Sequence, residues 1–183
     1  MPDTSDNYKH RPLAERLAAL RLVVLDVDGV LTDGGLFYDD HSTQAKLYHS
    51  QDGHGLRMLM RAGIEVAIVS GRHSENLRHR AENLEIRALH MGIKTKLPVV
   101  ERVVEEHKAT WAETAMVGDD VVDLPAMLRS GVAVAPADGN RIVRRRADIV
   151  TDAPGGRGAV REFVERVLKA AGRWEDVRRR YYG

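Results

Sequence analysis

The stretch VVLDVDGVLTDGG, residues 23–35, runs an apolar segment straight into three aspartates, Asp26, Asp28 and Asp33. A buried strand that ends in carboxylates is costly unless a cation meets them. Two other segments have the same form. IEVAIVSGR places Ser70, Gly71 and Arg72 after an apolar run, and ETAMVGDDVVD places Asp119, Asp120 and Asp123 after another. Lys96 opens a fourth, amphipathic stretch, KLPVVERVVEEHKA. Each alone reads equally well as a solvated turn. Together they supply the parts for phosphoryl transfer. Hard carboxylate oxygens suit Mg2+. One carboxylate can attack phosphorus and form an aspartyl phosphate. A second, two residues on in extended chain, can face the same pocket as acid and base. A serine and free N–H groups at a helix start can hold phosphate oxygens. A lysine can balance the charge of the transferring group.

These groups meet only if the elements carrying them end at one edge. Residues 1–11 read as a mobile arm, and 12–20 have helical spacing. A short buried strand follows, and 34–49 reads as a hairpin around a polar turn at 39–42. Helices are expected at 52–63, 74–84, 96–109, 122–130, 139–147 and 158–172, with Gly63 ending the first. Strands are expected at 64–70, 86–91, 113–120, 131–136 and 148–152. Apolar strands alternating with amphipathic helices imply an α/β fold with a parallel sheet covered on both faces. In such sheets, sites form at the carboxyl ends of the strands.

Composition is that of an ordinary soluble domain: 183 residues, 43% hydrophobic, 30% charged and a formal net charge of +1. That charge gives no argument for nucleic acid or an acidic membrane. With no cysteine, disulfides, thiolate metal sites and a cysteine nucleophile are excluded. The amino end lacks an apolar leader and no stretch approaches ~20 apolar residues, so a cytoplasmic location is expected. Six histidines (His10, His41, His73, His79, His90, His107) show no metal-ligand spacing, whereas His54 lies near the expected site. DVDGVLTD is not an EF-hand loop, because no glutamate closes it. The ending GRWEDVRRRYYG is basic and aromatic, a solvated helix end or a contact surface.

The order DVDGVLTDG, SGR, Lys96, GDDVVD resembles the haloacid dehalogenase (HAD) superfamily of phosphatases. LTDGGLFYDD, AKLYHSQDGHGLRML, HMGIKTKL and GGRGAVREFVERVLKAAG are similar to its 3-deoxy-D-manno-octulosonate 8-phosphate (KDO8P) phosphatases. The likeness covers roughly residues 21–172, leaving 1–20 as an arm and helix and 173–183 as a tail. It implies a three-layer, Rossmann-like core with a parallel sheet, capless, with a β-hairpin after the first strand. It also implies Mg2+, a small sugar-acid phosphate substrate, lipopolysaccharide synthesis and a homotetramer joined through the hairpins.

By position, the resemblance makes Asp26 the nucleophile and a Mg2+ ligand. Asp28 becomes the general acid/base and a ligand through its carbonyl. Asp119 completes the protein ligands and Asp120 supports them. Ser70 and Gly71 hold phosphate oxygens, and Lys96 ties nucleophile to phosphate. His49, Ser50, Gln51, Asp52 and Gly53 line the substrate side, with Arg57, Arg72 and Arg80 as sugar-acid contacts. An arginine fork suits a carboxylate.

This chain departs from the pattern at two places. The family often has Asn-x-Arg before Asp-Gly, where this chain has His49-Ser50-Gln51, and an acid before the motif lysine, where Thr95 stands. Lys94 could also be taken for that lysine, but spacing from Gly92 favours Lys96. A nonulosonate (sialic acid) 9-phosphate phosphatase is therefore the alternative substrate class. PGGRG (154–158) reads as a flexible loop or as a segment reaching a neighbouring subunit, with Arg157 at its tip. A signalling receiver domain would place its acidic pair before a lone acceptor aspartate, the reverse of the order here. A non-catalytic regulatory subunit would lack a nucleophile or ligand, and none is missing.

Overall fold

The computed structural model describes residues 8–38, 40 and 44–182. From the amino end run α1 (Leu13–Ala18), β1 (Leu22–Leu25), the hairpin strands β2 (Phe37–Tyr38) and β3 (Gln44–Ala45), and α2 (Ser50–Arg61). Then come β4 (Glu65–Val69), α3 (Glu75–Leu84), β5 (Ala88–His90) and α4 (Lys96–Glu106). The last part holds β6 (Thr114–Val117), α5 (Leu124–Arg129), β7 (Val132–Ala135), α6 (Arg141–Arg146), β8 (Ile149–Val150), α7 (Ala159–Ala170) and α8 (Trp174–Arg179).

Six strands form one all-parallel sheet in the order β5-β4-β1-β6-β7-β8. Pleating divides their side chains between two cores. Val23 and Leu25 of β1 pack with Leu56 and Leu59 of α2, Leu77 of α3 and Phe163 of α7. Leu22 and Val24 pack on the other face with Val100 and Val103 of α4, Met127 of α5 and Val143 of α6. A strand apolar on both faces, as β1 is, belongs at the centre of such a sheet. The α7 stripe Val160, Phe163, Val164 and Val167 is wholly buried. Cutting Phe163 to alanine would cost about 3–5 kcal/mol.

Local signals set the helix ends. Gly63 follows α2 with φ +77°, and the Met60 and Leu59 carbonyls accept from Gly63 N and Ile64 N. That is the left-handed C-terminal closure expected there. Ser74 caps α3 by accepting from Leu77 N at 3.4 Å.

Counting only sheet strands, the chain builds outward from β1 to one side, then returns to β6 and builds outward on the other. The crevice between the carboxyl ends of β1 and β6 is thus the topological switch point, where α/β sheets bind ligands. The hairpin forms its own two-stranded antiparallel sheet, with Phe37 opposite Ala45. Of the turn expected at 39–42, only Asp40 lies among the described residues.

Three expectations change. Helix α2 begins at Ser50, so Ser50 and Gln51 form its first turn rather than a preceding loop. Strand β6 stops at Val117, and the acids that follow lie in the next turn. The arm is not free at residue 8: Tyr8 is buried and its hydroxyl donates to the Arg129 carbonyl at 2.5 Å.

Candidate active site

The first aspartate is placed by main chain. Asp26 N donates to the Val117 carbonyl at 3.0 Å, extending the β1–β6 ladder by one rung. The chain then turns sharply, because the amides of Val30, Leu31 and Thr32 all donate to the Val27 carbonyl. Gly29 sits in that turn at φ +88°, and a Cβ there would come within 2.2 Å of Asp119 Oδ2. Only glycine lets the β1 turn and the Asp119 carboxylate approach so closely.

Lys96, the first residue of α4, reaches under this turn. Its ammonium lies 2.6 Å from Asp26 Oδ1 and 2.6 Å from Asp123 Oδ1, with its side chain 2% exposed. The second oxygen of Asp123 accepts from the amides of Asp119 and Asp120, at 3.2 and 3.3 Å. Carboxylate oxygens of Asp26, Asp119 and Asp123 lie within 4.8 Å of one another.

Three clustered carboxylates, Asp26 and Asp123 buried and Asp119 half-buried, gather around one buried lysine and leave the site short of positive charge. Burial pushes the Asp26 carboxyl up to about 6, helped by the Asp123 charge and only partly offset by Lys96. Burial likewise pushes Asp119 up to about 7, with Asp26 and Asp123 adding to it. Burial pulls the Lys96 ammonium down, but the Asp26 and Asp123 charges outweigh it and its pKa ends raised. Asp119 Oδ1 is buried without any hydrogen-bond partner. An orphaned carboxylate oxygen beside a second buried carboxylate is a donor set that fits a hard divalent cation. Asp123 has committed both oxygens to protein donors, so Asp26 and Asp119 are the ones with an oxygen to give.

The second wall comes from the loop after β4, where Gly71 and Arg72 line the cavity. Ser70 N donates to the His90 carbonyl at 2.8 Å, which holds Ser70 at the strand end, and its hydroxyl accepts from Arg72 N at 3.3 Å. Arg72 Nε lies 3.4 Å from Asp28 Oδ2, and Lys46, just past β3, pairs with Asp28 Oδ1. Asp26, Asp28, Gly71, Arg72, Lys96 and Asp119 share one cavity of about 500 Å3, with Asp120, Lys94 and Val122 at its rim. Asp120 Oδ1 accepts from Val121 N and from Asn140 Nδ2, so Asp120 braces the loop.

Other expected residues lie apart from that cavity. Asp52 is 1% exposed and accepts from Arg161 N at 2.7 Å and Gly158 N at 3.1 Å, capping α7. Arg80 donates to the His49 carbonyl at 3.3 Å and packs on the Tyr48 ring. Its guanidinium fills the space a Cβ on Gly53 would take. His49 borders this second cluster, while Ser50 and Gln51 are exposed on the first turn of α2. Arg57 pairs with Glu85 at 2.8 Å and lines a different cavity with Glu65, at the amino end of β4. The structure does not bring Arg57 to the site. His54 shares a 2.7 Å hydrogen bond with the hydroxyl of Tyr181 near the carboxyl end, not with the cleft.

PGGRG is neither loose nor extended. Gly156 N donates to the Val30 carbonyl at 2.9 Å, and a Cβ on Gly155 would meet the Gly29 carbonyl at 1.9 Å. The segment packs against the turn after Asp26 in its own chain, and Arg157 reaches Asp33 at 3.2 Å. Sequence reading did not find Lys46, whose contact with Asp28 depends on how the hairpin folds back. The anchoring role of Asp123 was partly visible, since it stands four residues after Asp119 at a helix start.

Comparison with known proteins gives the family. The family model of haloacid dehalogenase-like hydrolases matches residues 42–131. The KDO8P phosphatase of Haemophilus influenzae is 40% identical over 161 residues, which span 88% of this chain and 89% of that protein. The Escherichia coli enzyme of the same name is 38% identical over 87% of this chain and 85% of its own. Among solved structures, the KDO8P phosphatase of Moraxella catarrhalis, in complex with magnesium, phosphate and KDO, superposes with a TM-score of 0.90. It is 32% identical and covers 92% of this chain and 97% of its own. The cobalt-bound H. influenzae enzyme has a TM-score of 0.85 at 40% identity, covering 87% of this chain and 93% of its own. With the acid cluster at the switch point and relatives this similar along most of its length, the chain belongs to the haloacid dehalogenase-like phosphatases, phosphoric monoester hydrolases, in the KDO8P phosphatase branch.

Proposed function

We propose that the chain is a Mg2+-dependent phosphatase that converts 3-deoxy-D-manno-octulosonate 8-phosphate to the free sugar acid and inorganic phosphate through an aspartyl phosphate. One observation carries this: the carboxylates of buried Asp26 and half-buried Asp119 lie together, short of positive charge, and Asp26 has Lys96 at 2.6 Å. Asp26, Asp119 and the Asp28 carbonyl would hold Mg2+, which when bound neutralises charge on the phosphoryl oxygens. An Asp26 oxygen attacks phosphorus as the bond to the sugar oxygen breaks. Asp28 gives its proton to that leaving oxygen, then takes one from the water that hydrolyses the aspartyl phosphate. The water oxygen bonds to phosphorus as the bond from phosphorus to the Asp26 oxygen breaks, inorganic phosphate is released, and both aspartates return to their starting state. The Ser70 hydroxyl and Gly71 N–H hold phosphate oxygens, while Lys96 orients Asp26 and offsets the negative charge that gathers on phosphorus.

On the substrate side, Arg72 is the contact nearest the reacting groups, with Arg80, His49, Ser50 and Gln51 further out. Asp52 and Gly53 act by holding α7 and Arg80 in place. Assembly as a homotetramer through the hairpins is supported by the exposure of Leu36, Phe37 and Leu47 on the hairpin and its flanks. The test is phosphate release with Mg2+ and with EDTA from KDO8P, a sialic acid 9-phosphate and hexose phosphates. Mg2+-dependent turnover of KDO8P above the others is expected, with Asp26→Asn folded and inactive. Preference for the nine-carbon acid would overturn the substrate. Normal turnover by Asp26→Asn would overturn the nucleophile.

A further inference from the structure

Lys46 falls in the stretch AKLYHSQDGHGLRML, yet neither the residue pattern nor the resemblance gives it a role. It lies directly after β3, its side chain is only 4% exposed, and its ammonium contacts Asp28 Oδ1. A buried ammonium needs a counter-charge, and the plain reading is that this pair pins the hairpin to the core. The partner's place argues for more. Asp28 faces the cleft, and its two oxygens meet unequal cations. Oδ1 pairs with Lys46, whose side chain is buried, whereas Oδ2 meets the half-exposed Arg72 at 3.4 Å. Oδ1 is held by the buried ammonium, and Asp28 lines the cavity that also holds Asp26 and Lys96.

We propose that Lys46 is a positioning residue that fixes which oxygen of Asp28 exchanges the proton. Oδ1 stays on Lys46. Oδ2 carries the proton, gives it to the leaving sugar oxygen as the P–O bond breaks, and recovers one from the attacking water. The inference rests on the reading of Asp28 as acid and base. Misplacing such a group by about 1 Å can cost on the order of 100-fold in rate. The hairpin thereby contributes to the chemistry, not only to the outline of the chain.

The leaving group provides the test. A sugar alkoxide needs a proton to depart, whereas p-nitrophenolate leaves without one. Lys46→Met keeps the chain length and removes the charge. For this variant, kcat/KM is measured with KDO8P and with p-nitrophenyl phosphate, beside the wild type. The expected result is a loss on KDO8P at least about 10-fold larger than the loss on the aryl phosphate, as for a displaced general acid. Lys46→Gln, which keeps a donor, should fall between wild type and Lys46→Met, and it replaces Lys46→Met should that variant fail to fold. Equal losses on both substrates, or none, would overturn the role of Lys46 while leaving the phosphatase reading intact. A folded wild type that releases phosphate from neither substrate would overturn both.

Discussion

Two aspartates of this chain, Asp52 buried and Asp119 half-buried, have opposite surroundings. Asp52 is sealed between α2 and α7, and both its oxygens accept from main-chain amides at the start of α7. Asp119, at the switch point, keeps Oδ1 buried with no donor at all, and its pKa is pushed up to about 7 by burial and by Asp26 and Asp123. The fold supplies every partner of the first and withholds one from the second. A carboxylate satisfied by its own chain is part of the scaffold. One left short awaits a cation, and the difference is visible in donors and acceptors without any ligand present.

The largest effect that would break the contrast is on activity. Asp119→Asn should lower kcat/KM by about 100-fold or more, because a neutral amide binds a hard cation poorly. Calorimetry should show Mg2+ binding lost in the same variant, and the cation-free protein should be no less stable than the wild type. Tight Mg2+ binding in Asp119→Asn would remove the basis of the contrast. Next in size is a stability change. Asp52→Ala should destabilise the chain by about 2 kcal/mol, read by urea unfolding, since α7 loses its capping acceptor and two amides are left without a partner. A large rise in KM with unchanged stability would make Asp52 a substrate contact instead.

The smallest effect concerns pH. Asp26 and Asp119 have folded pKa values near 6 and 7 against an ordinary 3.8. A carboxyl whose pKa is raised by folding favours the folded state below its ordinary value, and that contribution is lost as pH rises through the folded value. In EDTA, their share of the stability should therefore decline from about pH 4 to about pH 7. Mg2+ binds the ionised pair, so its stabilising effect should grow across the same window, by about 1 kcal/mol or more. A Mg2+-induced shift in Tm that is equal at about pH 5 and about pH 7.5 would contradict the charge shortage at Asp26 and Asp119.

Much of this was legible in the sequence. Strand β1 announced itself because it is apolar on both faces and stops at an aspartate, and β4 and β6 repeat the form. The hairpin was visible as two short β runs around a polar turn. Side-chain periodicity reports which face of an element is buried, but not which distant group will meet it. That is why Asp52 read as a substrate residue: its partners, Gly158 N and Arg161 N, lie on α7, far along the chain. Arg57 failed similarly, since its helix face points to Glu85 rather than to the cleft. Helix α8 was only partly read, because its apolar residues are few and mixed with arginines.

The strand order has a consequence for how the molecule is made. The first strand of the sheet to be synthesised, β1, occupies its centre, and its second edge stays open until β6 arrives, with Leu22 finally opposite Thr114. So non-local a pairing closes slowly, since a long loop must lose its freedom first. Until then Asp26 and Asp119 remain apart and hydrated. The chain thus brings the Asp26 and Asp119 carboxylates together only when β6, the fourth of the six sheet strands in chain order, docks, and before that the two cannot hold Mg2+ jointly.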